Sequence, residues 1–156
     1  MKTSTRTLWS RLSALAFVLT LAATGAGVRA QTSTIVSNDP WMREPMARAD
    51  QTGVFVVLEN TSSEKRQLVS ASSPLADRVE LHTMSNENGM MRMMQVKSID
   101  IPANGKAELK PGSFHIMLFG LKDRPASGAA VDLTLTFDNG DKLPIKAVVR
   151  KPEGMR

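Results

Sequence analysis

Two histidines and a set of methionines are the side chains with the clearest capacity for metal chemistry in this chain of 156 residues, which has no cysteine at all. Both histidines stand in the pattern His-x-Met: His82 with Met84, and His115 with Met117. Ten residues separate His82 from Met93, and twenty-one separate Met93 from His115. Imidazole nitrogen with thioether sulfur is a soft donor set, suited to Cu(I) rather than to zinc, which favours thiolate, imidazole and carboxylate. All four donors are neutral, so bound Cu(I) would keep its single charge. Thioethers form no disulfides, and as weaker donors than thiolates they can release the metal again. A blue-copper electron-transfer centre is excluded, because it requires a cysteine.

Strands are the elements that must position these groups. Residues two apart on a strand share a face, so each His-x-Met is a two-toothed grip. On the second grip Phe114, Ile116 and Leu118 then point the opposite way and have the character of a core face; on the first, Val79 and Leu81 do. Asn88-Gly89 is a tight-turn signal, with Met90–Val96 as the return strand. A two-residue loop at Asn88-Gly89 places Met93 opposite Met84 and His82 opposite Gln95. A loop at Glu87-Asn88 pairs Met93 with His82 instead. Either register puts Met91 and Met93 on the histidine face and Met90 and Met94 on the other, and a three-residue loop reverses the parity.

The rest of the chain reads as short strands with frequent turns. Gly53–Glu59 is a Val-rich run of the buried kind. Val131, Leu133, Leu135 and Phe137 alternate with Asp132, Thr134 and Thr136, a period of two, and Asn139-Gly140 turns the chain toward Leu143–Val149. Gln67–Ser70, Arg78–Met84, Lys106–Leu109 and Ser113–Phe119 complete the set. This pattern predicts a single all-β domain, an antiparallel sandwich or barrel.

Residues 1–30 have the form of a secretory signal: Lys2, Arg6 and Arg11, then apolar Leu12–Ala23, then Val28-Arg29-Ala30 before Gln31. The apolar stretch is too short for a membrane span, and without a cysteine no lipid attachment is expected at the cleavage point. The predicted mature domain is 31–150, followed by a short tail, 151–156. Cleavage removes four of the 20 basic residues and none of the 15 acidic ones, leaving a net charge of +1. No basic run remains for nucleic acid. Nine of the ten methionines survive, which makes the exported domain methionine-rich.

The spacing His82-x10-Met93-x21-His115-x-Met117 resembles the signature of the periplasmic PCuAC family of copper chaperones. Val79-Glu80-Leu81-His82, Asn88-Gly89-Met90-Met91-Arg92-Met93 and Leu109-Lys110-Pro111-Gly112 leading into Phe114-His115-Ile116-Met117-Leu118 are similar too, as are Trp41 with Arg43 and Val57-Leu58-Glu59-Asn60. The resemblance runs from about Ile35 to Val149. It implies a cupredoxin-like (Ig-like) β-sandwich, Cu(I) bound by His82, Met93, His115 and Met117, a monomer in the periplasm, and delivery to a copper-accepting apoprotein such as the CuA-bearing oxidase subunit or another copper chaperone. Met84 is a candidate auxiliary ligand. Some members carry a His- and Met-rich tail for a second copper; Lys151–Arg156 has one methionine and no histidine, so no second site is expected there.

Plainer readings compete at individual positions. A lone histidine on a strand is more often hydrogen-bonded than metal-bound. Met90 and Met94 are expected as adaptable packing, and Trp41 as a core or lid aromatic. Asp100, Glu108 and Asp132 are scattered singly and form no acid/base pair. With both histidines assigned to copper, none is left for a catalytic triad, so no enzyme is expected. The competing function is a structural or adhesion module in which the His/Met cluster is incidental. Handing copper on by ligand exchange requires an exposed site, and the histidine face is expected to be exposed.

Overall fold

The computed structural model describes residues 34–152; the expected signal segment 1–30, its expected cleavage point and the end of the expected tail lie outside them. Ten strands follow in order: β1 (Ile35–Arg43), β2 (Gln51–Asn60), β3 (Arg66–Ser72), β4 (Ala76–Glu87), β5 (Met90–Gln95), β6 (Ile99–Ile101), β7 (Lys106–Leu109), β8 (His115–Leu121), β9 (Ala130–Phe137) and β10 (Lys142–Arg150). They hydrogen-bond in the order β5-β4-β8-β2-β1-β10-β9-β3-β6, with β7 on β2. The sheet folds over on itself, so that β3 packs on β4 and β6 lies against β7. This is the all-β, cupredoxin-like sandwich that the resemblance implied.

The period-two pattern builds the core. Val131, Leu133, Leu135 and Phe137 of β9 are all buried, and they meet Val54, Val56 and Leu58 of β2, Leu81 of β4, and Ile116 and Leu118 of β8 in one cluster. Interiors of this kind are close-packed, so each of these side chains fixes the position of its strand.

The antiparallel expectation fails at one pairing. β1 runs parallel to β10, with Trp41 beside Val148 and Arg43 beside Arg150, while its other side pairs antiparallel with β2. Sequence periodicity did not reveal β1, because Asp39-Pro40 interrupts it. Asp39 takes a positive φ of 48°, and the register with β2 shifts between Asn38 and Trp41. This is bulge geometry, which bends a strand and lets it re-aim its side chains. The three-residue β6 was also missed.

Two further expectations are corrected. Phe114 is not a core residue: it precedes β8 in the turn closed by the Lys110 amide on the Phe114 carbonyl, 2.9 Å, and it is exposed. Met90 and Met94 do not pack inside. β5 is the edge strand, and Met90, Met91, Met93 and Met94 are all exposed.

Ile116 is fully buried between the two ligand candidates of β8. Ile116→Ala should lower stability by about 2–5 kcal/mol, the usual cost of a core truncation that leaves a cavity. Urea unfolding of the mature domain measures this as a lower midpoint at unchanged slope.

Candidate metal centre

Strand register decides which side chains can meet. β4 and β8 pair antiparallel with His82 directly across from His115, Glu80 across from Met117 and Arg78 across from Phe119. β5 adds Met93 across from Met84 and Gln95 across from His82. The two-residue loop at Asn88-Gly89 is therefore the one adopted, with positive φ at both residues, 53° and 83°, as a type I′ hairpin requires. Both histidines, Met84, Met93 and Met117 share the face turned away from the core. The imidazole centroids of His82 and His115 are 5.9 Å apart.

The exposure expected of the histidine face fails at its centre, because aromatic side chains cover it. Trp41 stacks on Phe55 at 4.4 Å, Phe55 lies 6.2 Å from His115, and Phe119 lies 5.9 Å from His82. His82 retains 9% exposure, Met117 7% and His115 4%. Met93 is exposed and Met84 half-buried. The buried end of the site thus holds the two imidazoles and the Met117 thioether, and the open end holds Met93 and Met84. A cavity of about 270 Å³ opens there, with Met84, Met93, His115 and Met117 on its walls together with Met46, Phe55 and Arg43. His82 is not part of the cavity wall; it stands behind, against His115 and Phe119.

Hydrogen bonds assign the free nitrogen of each ring. The His115 Nδ1–H donates to the Ser113 carbonyl at 2.8 Å, which leaves the Nε2 lone pair available. His82 does the reverse: its Nε2–H donates to Glu80 Oε2 at 2.8 Å, and its buried Nδ1 has no partner. A buried, unpartnered acceptor is costly unless something binds it. Glu80 is held in turn by Arg78 Nε on its other oxygen at 2.9 Å, and the Arg78 guanidinium lies 4.7 Å from the Phe119 ring centroid. Arg78, Glu80, His82 and Phe119 form a closed ring of contacts. A carboxylate on the far nitrogen of a histidine is the arrangement that orients metal-binding imidazoles and raises their basicity. No role had been read for Glu80 from the sequence, although its place two residues before His82, on the same strand face, was the available signal.

Burial is the main cause that pushes the His115 pKa below its ordinary 6.5, with the nearby His82 and Arg43 acting in the same direction and the Ser113 hydrogen bond opposing. The folded protein therefore keeps His115 neutral where a free histidine takes a proton. Among the described residues no three His, Cys, Asp or Glu side chains gather, so a metal held on this face would draw on methionine sulfur. A free nitrogen on each imidazole, with Met117 and Met93 on the same sheet face, fits a soft monovalent ion. Gly53 is part of the fit. It pairs with Met117 across β2 and β8, and a Cβ there would stand 3.1 Å from the Phe55 ring and 3.9 Å from Met117 Sδ.

Known proteins with this organisation are recognisable from here. Residues 35–149 match the family described as "Putative lipoprotein LpqE-like". The chain belongs to that LpqE-like family, which is related to PCuAC. Among its relatives, "Putative lipoprotein Lxx21020" of Leifsonia xyli is 35% identical over 109 residues, covering 69% of this chain and 66% of that protein. "Uncharacterized protein RP573" of Rickettsia prowazekii is 31% identical over 104 residues, covering 64% of this chain and 58% of that protein. The chain thus spans 66% and 58% of the length of these two curated relatives. Solved structures agree in fold. The "Copper-bound PCuAC domain from PmoF2" superposes with a TM-score of 0.67 at 21% identity, covering 77% of this chain and 95% of that one. The "Solution structure of CuI-DR1885 from Deinococcus Radiodurans" superposes at 0.63 with 32% identity, covering 85% and 87%. The family described as lipoproteins is joined here by a chain without cysteine.

Two outcomes test this geometry. The unfolded chain takes up a proton at histidine below about pH 6.5 before folded His115 does, so stability falls as pH drops through that value and is regained above it. The melting temperature of the metal-free domain should fall between about pH 7.5 and 5.5, and His115→Asn should remove part of that fall. Gly53→Ala should crowd the Phe55 ring, which lies against His115, and weaken metal binding several-fold while circular dichroism keeps its β signature.

Proposed function

We propose that this LpqE-like protein is a Cu(I) carrier of the periplasm, exported by its N-terminal signal, that holds one ion between His82 Nδ1, His115 Nε2, Met117 and Met93 and hands it to a copper-accepting apoprotein. The single observation that carries the reading is the buried, unpartnered Nδ1 of His82 beside His115, on a face whose other donors are thioethers. Copper is cargo here, so the same site must bind and let go. The buried imidazoles supply fixed, pre-oriented donors. Exposed Met93 and half-buried Met84 supply the side from which a partner's ligands can enter, with Met84 as the auxiliary donor directly across the hairpin from Met93. Arg43 at the mouth adds a positive charge that disfavours a second cation in the cavity.

The similarity to copper-bound PCuAC structures supports the choice of metal. The CuA-bearing subunit of cytochrome c oxidase, or a second copper chaperone, is the recipient we propose on the family resemblance. We read the protein as a carrier rather than an enzyme, because a site that commits both histidines to one ion leaves neither as a base.

Titration of Gln31–Arg156 with Cu(I) against a chromophoric Cu(I) chelator should show one ion withdrawn per chain. His115→Ala should abolish competition, Met93→Ala should weaken it about tenfold or more, and Cu(I) should raise the melting temperature as a ligand specific to the folded state does. No competition by the wild-type domain would overturn the reading and leave a β-sandwich with an incidental cluster.

A further inference from the structure

Met46 is the most exposed of the large apolar side chains among the described residues, at 62%. It sits in the segment between β1 and β2, which is otherwise polar or small (Glu44-Pro45-Met46-Ala47-Arg48-Ala49-Asp50). The segment is held at several points. The Glu44 amide donates to the Arg150 carbonyl at 2.8 Å, the Ala49 amide closes a turn on the Met46 carbonyl at 2.9 Å, and the Leu121 amide donates to the Asp50 carbonyl at 3.0 Å. Arg124 Nε donates to the Ala49 carbonyl at 3.2 Å. These bonds hold Met46 on the wall of the same cavity that Met84, Met93, His115 and Met117 line. An apolar side chain gains little from so open a place, since it buries little surface. What it offers is a thioether on the wall that the proposed ligands share.

We infer that Met46 is a capture ligand: a thioether at the cavity mouth that takes Cu(I) from solvent or from a donor, shares it with Met84 and Met93, and passes it inward to the imidazoles. The inference rests on the carrier reading above and assigns a route to that same site. Cu(I) accepts soft donors in low coordination numbers, so it can exchange one thioether at a time and never stand bare. The order follows from burial: Met46 and Met93 are open, Met84 is half-buried, and Met117, His115 and His82 are closed. Release retraces the route. The residue is separate from the His82, Met93, His115, Met117 spacing, and neither periodicity nor the His-x-Met pattern marks it; only the fold of the β1–β2 segment over β2 and β8 brings it to the site.

The test uses the mature domain with 13C-labelled methionine methyl groups and Ag(I) as a redox-inert stand-in for Cu(I), together with anaerobic Cu(I) withdrawal by excess chelator. The Met46 methyl signal, identified by its loss in Met46→Leu, should shift or broaden below one equivalent of Ag(I) along with those of Met84 and Met93. Met46→Leu keeps size and apolar character, so the loop should remain in place. It should slow withdrawal of Cu(I) about fivefold or more, because the outward path loses its last donor. A Met46 methyl that stays unmoved while Met93 and Met117 respond, or a withdrawal rate within about twofold of wild type, overturns the capture role and leaves the carrier reading intact. If no methionine methyl responds in the wild type, the carrier reading falls and the capture role with it.

Discussion

The pairing of β4 with β8 is the constraint on which the site depends. Side chains alternate faces along a strand, so a slip of one residue on either strand would turn its histidine and methionine into the core and bring apolar side chains out. The register is enforced from the other side of the sheet. Leu81 pairs with Ile116 and Val79 with Leu118, and Leu81, Ile116 and Leu118 are buried in the common core. The chemistry of one face is therefore located by hydrophobic packing on the other. The stretch from His115 to Leu118 is buried throughout, which anchors β8 against a slip.

A second consequence is the gradient from closed to open along the outer face. Trp41, Phe55 and Phe119 cover the histidines, and Arg43 and Arg150 lie over the outer aromatics, at 5.7 Å from the Phe55 ring and 5.8 Å from the Trp41 ring. Guanidinium groups stacked on rings keep their charge in water while their stems shield the apolar surface. The edge strand β5 meets no such cover and leaves its methionines exposed. A fully sealed face would have argued against ligand exchange. What is found is two buried imidazoles and a buried Met117 beside exposed thioethers, the combination that the proposed carrier role requires.

The two imidazoles are oriented by groups outside the proposed ligand set. Glu80 and the Ser113 carbonyl take the proton-bearing nitrogens of the two rings, so His82 presents Nδ1 and His115 presents Nε2. Burial keeps His115 neutral, and a neutral imidazole is the form that binds metal. Gly53 preserves the room for the Phe55 ring, which a Cβ there would approach to 3.1 Å.

Much of this was legible in the residue order. The period of two placed His82 with Met84 and His115 with Met117 on common faces, the Asn-Gly dipeptide located the hairpin, and the alternation of Val131–Phe137 marked a half-buried strand, because these are local properties of a pleated backbone. The hairpin register remained open between two loops until positive φ at Asn88 and Gly89 selected one. Strand β1 was hidden by its own bulge at Asp39-Pro40, and its parallel partner β10 lies at the far end of the chain. The neighbourhood of β4 and β8, the closure of Arg78, Glu80, His82 and Phe119, the solvent exposure of Met90 and Met94, and the placement of Met46 at the mouth were decided by tertiary structure alone. Each depends on which distant strands pack side by side, and that is settled by burial of the whole core rather than by any local pattern.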